Sequence, residues 1–376
     1  IFNENTTAVR IYPADGDGDS SGTSGSIYIQ DAMLNQGLVA YPYVETTTAP
    51  VAGGILEDMP RLDYSGSCPA LLLEPQRTNF FSYSEYFEFG LSSQSAVTSI
   101  TTNTNETLSP EGLYNATKGI FASGWNFSDS VASSTGVQST TSIYVKAVNP
   151  SSNNTFRIFT GGIVSGNLTA TSEWQRFDFT ATSTGGSICG IFRDSSANPA
   201  ELYFYGMQTE LASYPTSYIP TYGTSQTRLF ETPPFPNAFT FKDLGDGESG
   251  TFAFKFKVNG ITNNRFTPFS QGGSGTWFWL LSSMRVYVTS ELLSFNMLNS
   301  LESSIGDTFH ICFRKNNNLL TLFVNGQESD TRDMGTDNFR YFSYLSTYYS
   351  SQSIMQIAQY DSALSDDECV ALTTIS

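Results

Sequence analysis

Basic residues are scarce in this chain, and so is charge of any kind. Only 18 Lys and Arg stand against 35 Asp and Glu, a formal net charge of −17, and charged residues make up 14% of the whole. A nucleic-acid partner requires a basic footprint, so none is expected. Electrostatic docking on an anionic membrane is disfavoured for the same reason. No run approaches the ~20 apolar residues of a spanning helix, so no membrane insertion is expected either. There is a single histidine, His310. It leaves no second imidazole for a His-based metal site, and no nucleophile-elbow motif surrounds any serine. The phosphate-cradling GxxxxGK loop is absent as well. Four cysteines, Cys68, Cys189, Cys312 and Cys369, lie far apart without a CxxC pair, which excludes the zinc-ribbon spacings. Buried free thiols are the expectation, with Cys312 and Cys369 the pair to form if any does.

What is abundant is Ser, Thr, Asn, Gly and aromatic residues, a mixture that favours turn-rich β structure. With 376 residues the soft prior is about two or three domains. Residues 1–70 form an irregular leader. Residues 71–228 form a first β-sandwich, in which Ser142–Ala147, Thr155–Thr160 and Trp174–Thr180 alternate as half-buried strands. In the last of these Trp174, Arg176, Asp178 and Thr180 share a face. Three prolines within residues 229–236 make a semi-rigid connector. Residues 237–376 form a second sandwich, with strands at Gly250–Val258, Thr308–Arg314, Leu319–Val324 and Ile354–Tyr360. Asn325-Gly326 is a tight-hairpin signal. Ser365 followed by Glu368 is a capping box that opens a short terminal helix. The expected fold is therefore all-β: two tandem jelly-roll-like β-sandwiches after an irregular N-terminal leader.

One segment is unusual: Pro60-Arg-Leu-Asp-Tyr-Ser-Gly-Ser-Cys-Pro-Ala-Leu-Leu-Leu-Glu-Pro-Gln-Arg-Thr-Asn79. A short aliphatic run is stopped by Pro75 and followed by a turn dense in donors and acceptors. The segment resembles the LLLEPQRTN signature of bacteriophage tail and virion proteins, where it precedes a carbohydrate-binding-module-like β-sandwich. Ser213-Tyr-Pro-Thr-Ser-Tyr-Ile-Pro-Thr221 resembles the closing tag of that family. The order of strand, Val-Asn-Gly turn, late strand and terminal helix in residues 237–376 is similar to laminin G-like, or concanavalin A-like, domains. These resemblances imply a virion, extracellular setting, contacts with other virion proteins and trimeric assembly; no coiled-coil heptads accompany the last.

Three groups of residues could carry chemistry. Carboxylate pairs suffice for glycosidases, and Glu328, Asp330 and Asp333 are the nearest set, read as a solvated hairpin. Asp15, Asp17 and Asp19 alternate with glycine as in a calcium loop, but Ser26 stands where the twelfth-position glutamate is required; calcium is a weak expectation. Sugars stack their C–H faces on aromatic rings and pair their hydroxyls with amides and charges. Trp125 in a loop-like setting, Trp277 and Trp279 on one strand face, and Tyr348 and Tyr349 in a polar stretch are the carbohydrate-binding candidates. No catalytic residue is assigned. The expectation is a non-catalytic virion protein binding host-surface polysaccharide; the alternatives are a concanavalin A-like polysaccharide-cleaving enzyme and a purely architectural virion component.

Overall fold

The structure is a computed structural model that describes residues 28–34, 43, 45, 61–87, 93–131, 134–186, 188–192, 200–230, 244–261, 269–270, 279–280, 283–287, 292–296, 305–335, 344–345 and 350–374. The protein is all-β, with one short helix among the described residues. The strands are β1 (Arg61–Asp63), β2 (Ala70–Leu73), β3 (Arg77–Asn79), β4 (Ser93–Thr101), β5 (Thr117–Ser130), β6 (Gln138–Ala147), β7 (Thr155–Thr160), β8 (Ile163–Val164), β9 (Leu168–Thr169), β10 (Gln175–Thr182), β11 (Ile188–Phe192), β12 (Ala200–Glu210) and β13 (Gln226–Arg228). There follow β14 (Gly250–Ile261), β15 (Phe269–Ser270), β16 (Trp279–Leu280), β17 (Ser283–Tyr287), β18 (Leu292–Asn296), β19 (Thr308–Asn316), β20 (Leu319–Val324), β21 (Gln327–Asp333), β22 (Tyr344–Leu345), β23 (Ser350–Tyr360) and helix α1 (Asp366–Thr373). The pairings are antiparallel throughout.

The first sandwich is one curled sheet, β10-β6-β12-β5-β11-β7-β8. Strand β5 makes the fold possible. Its first residues, Thr117–Phe121, pair with β12, and its last, Asn126–Ser130, pair with β11. The strand therefore serves both layers. Between them lies a phenylalanine-rich core: Phe121, Phe127, Phe156 and Phe204 are fully buried with Ile143, Val145 and Ile158, each large side chain contributing about 1.5–3 kcal/mol. Phe156 of β7 meets Phe177 of β10 edge-on at 5.1 Å across the core.

The second unit is built on the sheet β1-β2-β23-β14-β19-β20-β21. Alternation along β14 sends Phe252, Phe254, Phe256 and Val258 to one face, where they pack on Phe309, Ile311 and Phe313 of β19. The opposite face carries Ala253, Cys312 and Phe323, which α1 covers with Cys369. The expected Asn-Gly hairpin joins β20 to β21, with Asn325 at φ 48° and Gly326 at φ 83°. The expected capping box closes at Ser365 and Glu368. All four cysteines are free; three are buried, but Cys68 is exposed in the turn between β1 and β2. The Cys312 and Cys369 thiols are hydrogen-bonded neighbours.

The signature segment departs from the expected domain limits. Residues 61–70 fall in the expected leader and residues 71–73 in the first sandwich. Yet β1 and β2 extend the second sheet, with Leu71, Leu72 and Leu73 paired to Ile354, Ser353 and Gln352 of β23. Six residues later Asn79 is inside the first sandwich. Its side-chain amide donates to Met207 O and Ile219 O at 3.2 and 2.8 Å, and its side-chain oxygen accepts from Phe81 N and Thr209 N at 3.0 Å each. At the crossing, fully buried Glu74 holds Arg61 at 2.7 Å, Arg228 at 3.1 Å and the Ser217 amide at 2.8 Å. Ser217 belongs to the closing tag. The two resembling segments therefore fold against each other and tie the sandwiches together. Sequence order alone conceals this, because a strand belongs to the sheet that bonds it and not to its neighbours in the chain.

Candidate functional site

The outer face of the first sandwich is where polar and aromatic groups converge. In β6 the odd residues Ile143, Val145 and Ala147 enter the core, so Ser142, Tyr144 and Lys146 point outward. In β10 Phe177 and Phe179 pack inward, so Arg176 and Asp178 share the outer face. Register brings them together, with Arg176 opposite Tyr144 and Tyr144 opposite Tyr205 of β12. The Arg176 guanidinium lies 5.5 Å over the Tyr144 ring, and its Nη2 donates to Ser142 Oγ at 2.9 Å. That cation–π pairing orients both side chains.

The loop between β4 and β5 fixes the border of the face. Trp174 Nε1 donates to Leu108 O at 2.7 Å, and Lys146 Nζ donates to Thr107 Oγ1 at 3.1 Å. Because the acceptors are consecutive residues, Trp174 and Lys146 lie side by side. Next along the loop, Glu106 accepts from Lys118 at 2.8 Å and from Tyr203 OH at 2.9 Å. The Lys118 and Tyr203 bonds hold the Glu106 carboxyl below its usual range. Burial and the same carboxylate push the Tyr203 phenol up to about 12. Partial desolvation raises Asp178, and the Arg176 charge offsets part of that rise. Tyr144, Lys146, Trp174 and Arg176 are all half-buried. Leu108 and Tyr114 are exposed on the loop.

Behind Tyr144 the aromatics continue inward. Tyr205 lies 6.1 Å from Tyr144, and Tyr218 meets Tyr205 edge-on at 5.3 Å. A bulge in β12 sets this up: Gly206 has φ 63°, and a Cβ there would stand 3.1 Å from the Tyr218 ring. Tyr218 OH donates to Glu85 Oε1 at 3.0 Å and shares a 2.6 Å bond with Ser84 Oγ. Burial, then the charge of Glu111, pushes the Glu85 carboxyl up to about 7. A raised carboxyl beside a second carboxylate is the signature of a general acid. Glu85 is 1% exposed, however, so this pair delivers no proton to a surface-bound ligand.

Of the sequence candidates for carbohydrate binding, only the backbones of Trp125 and Trp279 are described. Trp125 lies within β5, between its two paired stretches, and not in a loop. The bend that lets the strand serve both layers explains the Ser123-Gly124 that suggested a loop. Its side chain lies outside the described residues. Trp279 begins β16, opposite Arg285 of β17, with its side chain likewise outside them. Trp277, Tyr348, Tyr349 and the calcium-loop candidates Asp15, Asp17 and Asp19 lie outside the described residues altogether. Among the described residues no three His, Cys, Asp or Glu side chains gather as a metal site. Glu328, Asp330 and Asp333 sit on or beside exposed positions of the edge strand β21, with Asp330 bound to Arg332 at 2.8 Å. Such charges protect a sheet edge from pairing with another chain. His310 is buried in β19, opposite Lys255. The outer-face set was partly legible, since the Trp174–Thr180 alternation shows that Trp174, Arg176 and Asp178 are co-facial. Which face points outward, and that Tyr144 and Lys146 join it, required the strand register.

No family model and no curated protein matches this chain. Among solved structures, the chain is similar to domain 4 of AbnA, an extracellular arabinanase from Geobacillus stearothermophilus, in complex with arabinotriose. That likeness has 16% identity and a TM-score of 0.28, over 43% of this chain and 81% of that one. A putative carbohydrate binding protein from Bacteroides ovatus is matched at 10% identity and a TM-score of 0.27, over 79% of this chain and 84% of that one. The binding domain of Paraclostridial Mosquitocidal Protein 1 is matched at 16% identity and a TM-score of 0.28. This chain spans 38% of that domain's length, with 35% of itself.

Proposed function

We propose that this chain is a phage virion protein, tail- or fibre-associated, that binds host-surface carbohydrate and does not cleave it. The observation that carries the binding reading is that Tyr144 and Trp174 both stand on the outer face of the first sandwich, Tyr144 opposite Arg176 and Trp174 beside Lys146. Both are half-buried and are held by Arg176 and by Leu108 O respectively. Two rings fixed in this way offer stacking surfaces for sugar C–H faces at little cost in side-chain entropy. Lys146, Arg176 and Asp178 supply donors and acceptors for hydroxyls within the same patch. The virion setting rests on the likeness of Leu71–Asn79 and Ser213–Thr221 to segments of tail proteins.

The test is binding of the purified chain to a glycan array and to host-type bacterial cells with and without capsule. Binding that falls at least tenfold in Trp174→Ala and Tyr144→Ala, with unchanged thermal melting, supports the proposal. Binding that survives both substitutions moves the site elsewhere. Release of reducing ends from a bound polysaccharide overturns the non-catalytic reading.

A further inference from the structure

We propose that the outer face around Tyr144 selects acidic polysaccharide, with Arg176 and Lys146 receiving the carboxylates of uronate or sialate units while Trp174 and Tyr144 carry the rings. This rests on the carbohydrate-binding reading and adds the ligand's charge to it.

The observation is the state of the two cations. In a chain with almost twice as many acidic as basic residues, carboxylate partners are plentiful, and Arg61, Lys118, Arg228, Arg314 and Arg332 each hold one. Arg176 and Lys146 do not form an ion pair among the described residues. Lys146 is bound to a neutral hydroxyl, Thr107 Oγ1. Arg176 gives one terminal nitrogen to Ser142 Oγ and stacks on Tyr144; its other terminal nitrogen has no protein partner among the described residues. Two acids border the patch. Glu106 is committed to Lys118 and Tyr203, and Asp178 feels the Arg176 charge without closing a salt bridge to it among the described residues.

The placement fits an acidic sugar. Tyr144 and Lys146 are two residues apart on β6, and Arg176 faces Tyr144 from β10. A ring stacked on either aromatic therefore holds its ring-borne carboxylate within reach of a cation. Arg176 is pre-oriented by Ser142 and Tyr144, so its remaining terminal nitrogen donates to a carboxylate with little further ordering. The overall negative charge of the chain repels a polyanion at long range. Contact is then governed by this local patch, and electrostatic selectivity resides in the two side chains.

The experiment uses the full chain on an array carrying sialylated, uronate-bearing and neutral oligosaccharides, at low and at 0.5 M salt. The expected result is binding confined to acidic glycans and weakened by salt as the pair is screened. It should fall about tenfold or more in Arg176→Gln and in Lys146→Gln, with Arg176→Lys intermediate and all three variants melting as the parent does. Binding of neutral glycans at equal strength, or acidic binding indifferent to Arg176→Gln and Lys146→Gln, overturns the charge assignment and leaves the carbohydrate reading in place. Binding of no glycan in any class overturns both.

Discussion

Arg228 Nη1 lies 3.1 Å from Glu74 Oε2 in the seam between the two sandwiches, and the same oxygen holds Arg61 at 2.7 Å. Arg61 is on a strand of the second sheet, and Arg228 is on β13, which pairs with β3. One carboxylate thus joins segments from both ends of the first sandwich to the edge of the second.

Removing that carboxylate leaves two guanidinium groups in a buried seam. Glu74→Ala is expected to destabilise the chain by about 3–5 kcal/mol, read as a shift in denaturant midpoint. Burial alone raises the Glu74 pKa, but Arg228, Arg61 and the Ser217 amide more than reverse this and hold it below 4.5. Its contribution is therefore complete above that value and drains away as pH falls through the lower folded-state pKa. The parent should lose stability on acidification below pH 4.5 more steeply than Glu74→Gln; parallel curves would remove Glu74 from this role.

Glu85 should behave in the opposite sense. Its pKa rises from 4.5 to about 7 on folding, so the folded state holds the proton more tightly than the unfolded chain does. The stability this confers is full below pH 4.5 and is lost as pH rises to 7. Glu85→Gln keeps a neutral side chain at every pH. Between pH 4.5 and 8 its melting temperature should gain on the parent's, by an equivalent of up to about 3 kcal/mol. A pH-independent difference would show that Glu85 titrates as an ordinary surface acid.

Asn79 uses both donors and both lone pairs on buried backbone groups. Asn79→Ala strands those groups and should cost at least about 3 kcal/mol. Asn79→Asp, nearly the same in shape, should be equally harmful, because a carboxylate oxygen then faces the carbonyls of Met207 and Ile219. Chemical denaturation of both variants checks this; a mild effect for Asn79→Asp would mean that shape, not donor pattern, matters.

Tyr214 of the closing tag packs on Gly260 of β14 so tightly that no Cβ fits between them, while the Arg77 guanidinium lies over the Tyr214 ring, 5.0 Å from its centroid. Gly260→Ala should destabilise and should do so much less in a Tyr214→Ala background. The double-mutant cycle should give a coupling of about 1–3 kcal/mol, and additive effects would place the strain elsewhere.

The sequence by itself determined the all-β class, the alternation of β6, β7 and β10, the Asn325-Gly326 hairpin and the Ser365 cap. Each is a local preference: a period of two, a pair of residues tolerant of positive φ, a hydroxyl three residues from a glutamate. Tertiary structure alone decided that Leu71–Leu73 belong to the second sheet, that Glu74 is an ion-pair hub and that Trp125 stands in a strand. It also decided that Tyr144, Lys146, Trp174 and Arg176 share one outward face. Those outcomes depend on register between strands distant in sequence, and backbone hydrogen bonds pair strands without reading side-chain identity, so no short window of residues encodes them.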